Sequence, residues 1–464
     1  MASLTTLPTE LLVAIAEYLD GKTAILNSLS QVCRRLRPIA QDLMYTNITL
    51  RGHRKGELAC LLRTLLGLPC WLEKIRRLDL ELTHLESDTM PKQEFLPFES
   101  ASTQEAFVGN IINQLSLRSR TDDASSLETF TSRWADGLKA NGQAKFAGVL
   151  LALVPKAVDI RLTMLDSEGN SSPSYNPCYA FFNIGREVTH ILGGLSSFFS
   201  GLRNVKRITI PRGNISILHL PFLGLETLEV HLGRITLNHT ILDNLPAYAQ
   251  LQTMILRGDS KHLMQGYADG WVNQAIRQFQ CLGLSHFEFH LRNPRPLYEY
   301  APASFSPLVQ SLHSVASTLK SLKLDFSIDE QTFGSGDHAP LPVCSFEGLP
   351  NLQQLEVPMF ALPVDPQLNA PMATLEKLTI ICPTAGTLDY LERLTVRTPF
   401  YTSLVLSYTS LVPSLQEVVL LCRSSKGEPM SYFHDNNHHV FRKLRGMGVS
   451  VSLRECDAQD IFGE

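Results

Sequence analysis

The chain has 464 residues, of which 44% are hydrophobic and 19% are charged, and its formal net charge is −4. This balance excludes a largely disordered chain, which combines low hydrophobicity with high net charge. It also provides no global basic field, so we expect no nucleic-acid partner. Leucine is in excess, with 74 residues. At ~150 residues per domain the length predicts roughly three domains, unless the leucines build repeats, because a repeat protein grows without separate cores.

The apolar segments and the cysteines bear on the cellular compartment. The longest apolar stretch, residues 146–155, is shorter than the ~18 residues that a membrane span needs. The first ten residues lack the basic region that precedes the apolar part of a secretory signal. The nine cysteines are odd in number and form no C-x-x-C pair, which is typical of reduced thiols. We therefore expect a cytoplasmic or nuclear protein with no membrane partner.

The first fifty residues have the pattern of three short helices. The first helix is predicted from apolar residues that share one helical face, namely Leu7, Leu11, Leu12, Ile15 and Leu19. A second helix is predicted over 24–29 and a third over about 31–44. Three helices in ~45 residues bury too little surface to be robust alone. We therefore expect their exposed apolar face to dock on another protein.

Two strings in this segment carry a family resemblance. They are Leu7-Pro8-Thr9-Glu10-Leu11-Leu12 and Leu29-Ser30-Gln31-Val32-Cys33-Arg34-Arg35-Leu36-Arg37, the second followed by Leu43-Met44-Tyr45. Residues 4 to about 50 resemble an F-box, whose pattern begins L-P-x-E-[LI]-L and continues through V-C-[RK]. Leu36 stands where many members have an aromatic residue, and Tyr45 stands where the usual residue is Trp. Fungal members often look like this sequence. The alternative is a plain three-helix cap on a larger domain.

The resemblance implies partners for this segment. An F-box docks on the Skp-type adaptor, and through it on the cullin, of an SCF-type cullin-RING ubiquitin ligase. The positions that match the family's adaptor contacts are Leu7, Pro8, Leu11, Ile15, Leu19, Val32, Cys33 and Leu36. We therefore interpret residues 1–50 as an adaptor-docking domain of a fungal-type F-box protein.

Most other leucines recur in the template L-x-x-L-x-L, whose residues are numbered 1 to 6 below. Ten copies begin at Ile75, Ala157, Val205, Leu225, Leu251, Leu284, Leu319, Leu352, Leu375 and Leu415, and a shorter one begins at Val449. Positions 4 and 6 point to one face of a strand, and strands stacked side by side bury that face. Residues 51–464 therefore resemble an irregular leucine-rich-repeat solenoid. The predicted fold class is α/β, with parallel strands separated by helices or loops.

The repeats are degenerate and interrupted. The asparagine or cysteine that usually follows each strand in such repeats is mostly absent. Residues 83–140 are polar and short of aliphatic side chains, so we predict a polar, partly disordered insertion there.

The polar template positions indicate a binding face. Position 5 and the residue after position 6 alternate with the buried positions, so we expect them on the open face of the strands. In the middle of the chain these residues are Glu229, His231, Arg257, Glu288, His290, Lys323, Asp325 and Glu356. We interpret them as a charged platform for an unidentified protein substrate. The alternative is an ordinary polar surface.

No motif for catalysis stands out. Residues 194–198 lack the last glycine of a nucleophile elbow. The cluster His434, His438 and His439 has no cysteine near it in sequence, so we interpret it as a solvated loop rather than a zinc site. We expect no catalytic residue, cofactor or metal, and favour a non-enzymatic substrate receptor of the ubiquitin ligase. The alternatives are an adaptor-bound or free scaffold not coupled to degradation, and a hydrolase within a leucine-rich α/β fold.

Overall fold

The computed structural model describes the N-terminal helices and the strands that follow them. The described residues are 6–19, 23–51, 57–83, 101–118, 135, 138, 143–165, 200–212, 217–218, 220, 222–231, 248–259, 276, 281–292, 306–327, 346, 348–362, 373–384, 386–395, 398–402, 405–409, 412–423, 433 and 438–456. The chain divides into two compact units, Met1–Gln250 and Leu251–Glu464.

Three helices open the first unit: α1 Thr9–Glu17, α2 Thr23–Val32 and α3 Leu36–Thr46. Their most deeply buried apolar side chains are Leu12, Ala16, Leu26, Leu36 and Ala40. The predicted third helix over about 31–44 is wrong at its start, because α2 continues to Val32 and α3 begins only at Leu36. Pro38 accounts for this boundary, since a residue without an N–H is tolerated in the first turn of a helix but not in its interior.

Parallel strands follow in the first unit, each hydrogen-bonded to the next in chain order. They are β1 Asn47–Arg51, β2 Arg77–Thr83, β3 Asp159–Leu165, β4 Arg207–Arg212 and β5 Thr227–His231. The helices between them in sequence are α4 Glu57–Gly67, α5 Ala101–Arg118 and α6 Gln143–Leu153, and 3₁₀ turns span Pro69–Trp71 and Ser200–Asn204. Residues 146–153 of α6 are all buried, as expected for a helix that is apolar all round.

Helix α5 lies within the segment predicted to be a polar, partly disordered insertion. Its side chains Phe107, Val108, Ile111 and Leu115 are buried. Residues 101–118 are therefore an ordered, packed helix, because these four apolar side chains fall on one helical face despite the polar residues between them. Residues 84–100 and 119–134 of the same segment lie outside the described residues.

The second unit also has a parallel sheet in chain order. Its strands are β6 Thr253–Asp259, β7 His286–Arg292, β8 Ser321–Ser327, β9 Gln354–Pro358, β10 Lys377–Ile381, β13 Glu417–Arg423 and β14 Ser450–Cys456, while β11 Thr398–Thr402 and β12 Val405–Thr409 form a separate antiparallel hairpin. Its helices are α7 Ser306–Ser311, α8 Gly386–Leu394 and α9 His439–Gly446, with 3₁₀ turns at Leu312–Val315 and Met359–Ala361. The predicted α/β class with parallel strands is confirmed.

Each of the ten template copies lies on one of these strands, from β2 to β10 and on β13, and the shorter copy lies on β14. Positions 4 and 6 are at most 2% exposed in all ten copies. Position 1, which precedes the strand, is also buried in every copy. The leucine excess therefore fills the core on one face of the strands, as the alternation of strand side chains requires.

A ladder of backbone carbonyls joins successive copies where the strands begin. Within each unit, the carbonyl oxygen at template position 2 accepts hydrogen bonds from two consecutive N–H groups of the next full copy. In the second unit, for example, the N–H groups of Ser285 and His286 both donate to the carbonyl of Gln252, at N···O distances of 2.9 Å. This repeated bond holds the strands in register, since buried backbone groups need a partner.

Polar side chains just before position 1 form a second ladder. They donate to a carbonyl oxygen of the preceding copy over 2.6–2.9 Å, and they are Asn204, Thr318, Asn351, Thr374 and Ser414. Gly224 occupies the same position in the fourth copy, where an added Cβ would lie 2.3 Å from the carbonyl oxygen of Arg203. Five copies are thus joined to the preceding copy by a polar side chain before the strand, whereas in typical leucine-rich repeats the characteristic asparagine or cysteine follows the strand.

Among the described helices, none has both the length and the apolar character that a membrane span requires.

Candidate functional site

An apolar groove of about 400 Å³ runs along α1. Its lining side chains are Leu7, Leu11, Ala14, Ile15, Tyr18 and Leu19. Leu11 is 50% exposed, Ile15 39% and Tyr18 84%, whereas Leu12 and Ala16, each one residue further along the helix, are fully buried. The helix therefore packs on its neighbours with one apolar stripe and presents a second one to solvent. An exposed apolar surface of this kind is a candidate protein-docking site.

The groove includes four of the eight predicted adaptor contacts, Leu7, Leu11, Ile15 and Leu19. The remaining four lie outside it: Pro8 is exposed just before α1, Val32 is 62% exposed at the end of α2, Cys33 is half-buried, and Leu36 is 1% exposed. Leu36 therefore belongs to the core of the three helices and presents no surface to a partner.

Sequence analysis missed Tyr18, the most exposed side chain in the groove. It lies three residues after Ile15, which is the spacing of neighbours on one helical face. Helical periodicity therefore places Tyr18 beside the predicted contacts.

Helix α3 is joined directly to the first strand of the sheet. It ends at Thr46, β1 begins at Asn47, and the Thr46 carbonyl accepts a hydrogen bond from the N–H of Arg76 over 2.9 Å. The ring of Tyr45 packs on that of Trp71, with centroids 4.4 Å apart. Lys74 lies 4.7 Å from the Trp71 ring centroid and pairs with Asp42 of α3. These contacts attach the helices to the first strands without a linker.

The strand face of the second unit carries a chain of hydrogen-bonded charged groups. Asp325 of β8 contacts Nδ1 of His290 at 3.3 Å, and Nε2 of the same ring lies 2.7 Å from a carboxylate oxygen of Glu288. The other oxygen of Glu288 lies 2.6 Å from Nε2 of His286. Lys323 and Glu356 form an ion pair of 2.7 Å on the neighbouring strands. His290 therefore lies between two carboxylates, and Glu288 lies between two imidazoles.

This arrangement shifts the ionisation of both central groups. Burial by itself would lower the pKa of His290, but the hydrogen bonds to Asp325 and Glu288 outweigh it, so that the pKa of His290 is raised. Burial would likewise raise the pKa of Glu288, but the bonds to His286 and His290 hold it well below its usual range. Both shifts favour a buried imidazolium held between carboxylates.

The predicted charged platform is therefore only partly open. Glu229, His290 and Asp325 are only 7%, 4% and 2% exposed. These three side chains pair with charged neighbours on the strand face and therefore do not form an open surface. Glu229 contacts Arg207 at 3.1 Å. The other five residues, His231, Arg257, Glu288, Lys323 and Glu356, are intermediate in exposure. Charged side chains on adjacent strands are close enough to pair, which explains the burial.

The strand face also includes residues that the sequence analysis omitted. Template position 3 has the same orientation as position 5, and it carries Arg207, His286, Lys377 and Glu417. Lys377 and Glu417 form an ion pair of 2.8 Å. The alternation of side chains along a strand predicts these positions as well.

The histidines near the C-terminus have structural contacts. The His438 side chain accepts a hydrogen bond from the N–H of Val440 at the start of α9, and His439 lies 3.3 Å from Glu392. His434 lies outside the described residues. Within the described part of the chain, no group of three or more His, Cys, Asp or Glu side chains is arranged to hold a metal ion.

Comparison with known families agrees with the geometry of the N-terminal helices. A search of curated proteins finds no match to the chain. Residues 4–51, which contain α1, α2, α3 and β1, match the model of the F-box-like family. The three helices and the groove along α1 are therefore an F-box-like domain.

Proposed function

We propose that this protein is a substrate-recognition subunit of an SCF-type cullin-RING ubiquitin ligase. The observation that carries the proposal is the coincidence of the F-box-like match at 4–51 with an exposed apolar groove on α1. F-box domains bind Skp-type adaptors, and the groove supplies the kind of apolar surface that a partner helix or loop buries. The adaptor would in turn connect the protein to the cullin.

The strands after residue 51 would hold the protein target. We propose that they form a degenerate leucine-rich-repeat solenoid of the kind found in fungal-type F-box proteins. The recurrence of one template copy on each of the strands β2 to β10 and β13, together with the position-2 carbonyl ladder, supports this reading. The partly exposed side chains on the strand face, such as Lys323 and Glu356, would contact the target.

The proposed mechanism is proximity rather than catalysis. The protein would supply no reacting group and would raise the effective concentration of a target near the ubiquitin-transfer machinery. The direct junction between α3 and β1 supports this role, because a linker-free attachment holds the first strands at a defined position relative to the groove. We place this activity in the cytoplasm or nucleus.

Adaptor binding is tested with Leu11→Asp/Ile15→Asp. Both side chains are exposed in the free protein, so the substitutions should leave the fold intact. Burying two aspartates in an apolar interface should weaken binding of a purified Skp-type adaptor by roughly a hundredfold, as for truncation of two interface anchors. Isothermal titration calorimetry measures this change. Leu223→Asp is the matched control, because Leu223 is 43% exposed outside the groove. Equal affinities for the groove variant and the control would refute the docking role.

Coupling to degradation requires a separate measurement. Proteins that co-purify with the wild-type chain should accumulate in cells that carry only Leu11→Asp/Ile15→Asp, because their route to the cullin is lost. If they bind the chain but their half-lives remain unchanged, the scaffold alternative replaces the ligase proposal.

A further inference from the structure

Helix α9 presents a stripe of positive charge. Its sequence, HVFRKLRG, contains three arginine or lysine residues and no acidic residue. His439, Arg442, Lys443 and Gly446 are spaced as neighbours on one helical face, and all are exposed. Val440, Phe441 and Leu444 on the opposite face are buried. The helix therefore attaches to the second unit through its apolar face and turns its cations to solvent.

The cations of this stripe differ from those of the sheet. On the strands of the second unit, Lys323 pairs with Glu356, and both Lys377 and Arg454 pair with Glu417. No carboxylate among the described residues forms an ion pair with Arg442 or Lys443. His439 is the member of the stripe that has a carboxylate partner, Glu392 at 3.3 Å.

The end of the helix does not depend on these cations. Cationic side chains in a last turn commonly serve to stabilise free carbonyl groups. Here the backbone does so: the N–H groups of Met447, Gly448 and Val449 donate to the carbonyls of Lys443, Arg445 and Leu444 over 2.9–3.2 Å. Gly448 has φ +86°, the left-handed conformation that closes a helix in this way. Within the described part of the chain, the side chains of Arg442 and Lys443 are therefore exposed and have no carboxylate partner.

We propose that this α9 stripe is a docking surface for an acidic, extended segment of a partner protein. The stripe is a charged surface on an exposed helix face rather than a cleft. It has no exposed phenylalanine, tyrosine or tryptophan on which a nucleobase could stack, since Phe441 is buried. The large apolar side chain that adjoins the stripe is Met447, which is 39% exposed. One such side chain provides too little apolar surface for insertion into a membrane. A glutamate- or aspartate-rich peptide needs neither feature. This surface is separate from the groove on α1, and the proposal does not depend on the ligase function.

The test uses the full-length chain and fluorescein-labelled poly-L-glutamate, with binding followed by fluorescence anisotropy. Arg442→Glu/Lys443→Glu should weaken binding by about tenfold or more, since two attractive contacts become repulsive. Arg442→Gln/Lys443→Gln should give a smaller loss of about threefold, and it retains a readout if the charge reversal disturbs the fold. Raising the salt concentration should weaken wild-type binding, because the contacts are exposed.

Arg203→Glu/Lys320→Glu is the matched control. Both residues are exposed cations without an ion pair among the described residues, and the double substitution changes the net charge by the same amount. It should alter the affinity less than about twofold. Absence of poly-L-glutamate binding, or an equal loss in the control, would overturn the proposal. Tighter, stripe-dependent binding of single-stranded DNA or phosphatidylserine vesicles would also overturn it, in favour of a nucleic acid or a membrane.

Discussion

Replacing His290 by alanine should destabilise the second unit strongly. The ring is 4% exposed and its two nitrogens contact the carboxylates of Asp325 and Glu288 at 3.3 and 2.7 Å. Removing it leaves two carboxylates near each other, and Asp325 is only 2% exposed. Loss of one partner from a buried ion pair costs about 3–5 kcal/mol. We therefore expect amide protection in β7 to fall by roughly a hundredfold or more, at 1.4 kcal/mol per tenfold change.

Hydrogen exchange measured by mass spectrometry on β6–β8 peptides tests this prediction. Lys206→Ala is the control, because it breaks an ion pair of 2.7 Å with Glu226 whose side chains are 60% and 38% exposed. Such a pair contributes at most about 1 kcal/mol. If His290→Ala reduces protection in its own strands no more than Lys206→Ala does in its strands, the buried imidazolium does not stabilise the sheet and the reasoning is refuted.

The same network predicts a pH dependence. The raised pKa of His290 adds stability that is complete below its ordinary value of 6.5 and is lost as pH rises through the folded-state pKa. The lowered pKa of Glu288 adds stability that is complete above its ordinary value of 4.5 and is lost as pH falls through the folded-state pKa. The difference in thermal unfolding midpoint between wild type and His290→Ala should therefore be largest between pH 4.5 and pH 6.5. A difference that does not narrow above pH 6.5 contradicts the assignment.

Three further predictions concern the ladders and the thiols. Gly224→Ala should lower the free energy of unfolding in urea by about 1–3 kcal/mol, because its Cβ would lie 2.3 Å from a carbonyl oxygen. Gly67→Ala is the control and should not destabilise the chain, because no atom lies within 4 Å of the added Cβ. Asn351→Ala should cost about 1 kcal/mol in the same assay, through loss of its 2.9 Å hydrogen bond to the preceding copy. Cys281 should resist alkylation by iodoacetamide at pH 8 while the exposed Cys70 reacts, because burial raises the pKa of Cys281 to about 12. Mass spectrometry of the native protein after labelling measures both thiols, and equal labelling would contradict this prediction.

Some features of the fold follow from local sequence. The strand positions are predictable because template positions 1, 4 and 6 are apolar in every copy, and their alternation is a property of each strand by itself. The boundary between α2 and α3 is local too, and attention to Pro38 corrects it. The side-chain ladder could also have been found, since Thr318, Asn351 and Thr374 each lie just before position 1 of their copy.

The candidate sites are less predictable because exposure depends on neighbours. Periodicity places Leu11 and Leu36 on apolar helical faces alike, yet Leu11 lines an open groove and Leu36 is inside the core. The contact between Tyr45 and Trp71 likewise joins residues 26 positions apart in the numbering. No local pattern distinguishes a face that packs on another helix from one that remains free for a partner.

By itself the sequence determined the F-box-like segment and the strand that each leucine template would build. The tertiary structure decided which of the remaining polar and apolar side chains are accessible. His290 and Asp325 have the same template position in neighbouring copies, and the sequence predicts both at the surface. Parallel register brings these residues, 35 positions apart, into contact. Pairing between their strands then buries them, because opposite charges taken out of water are stable only together.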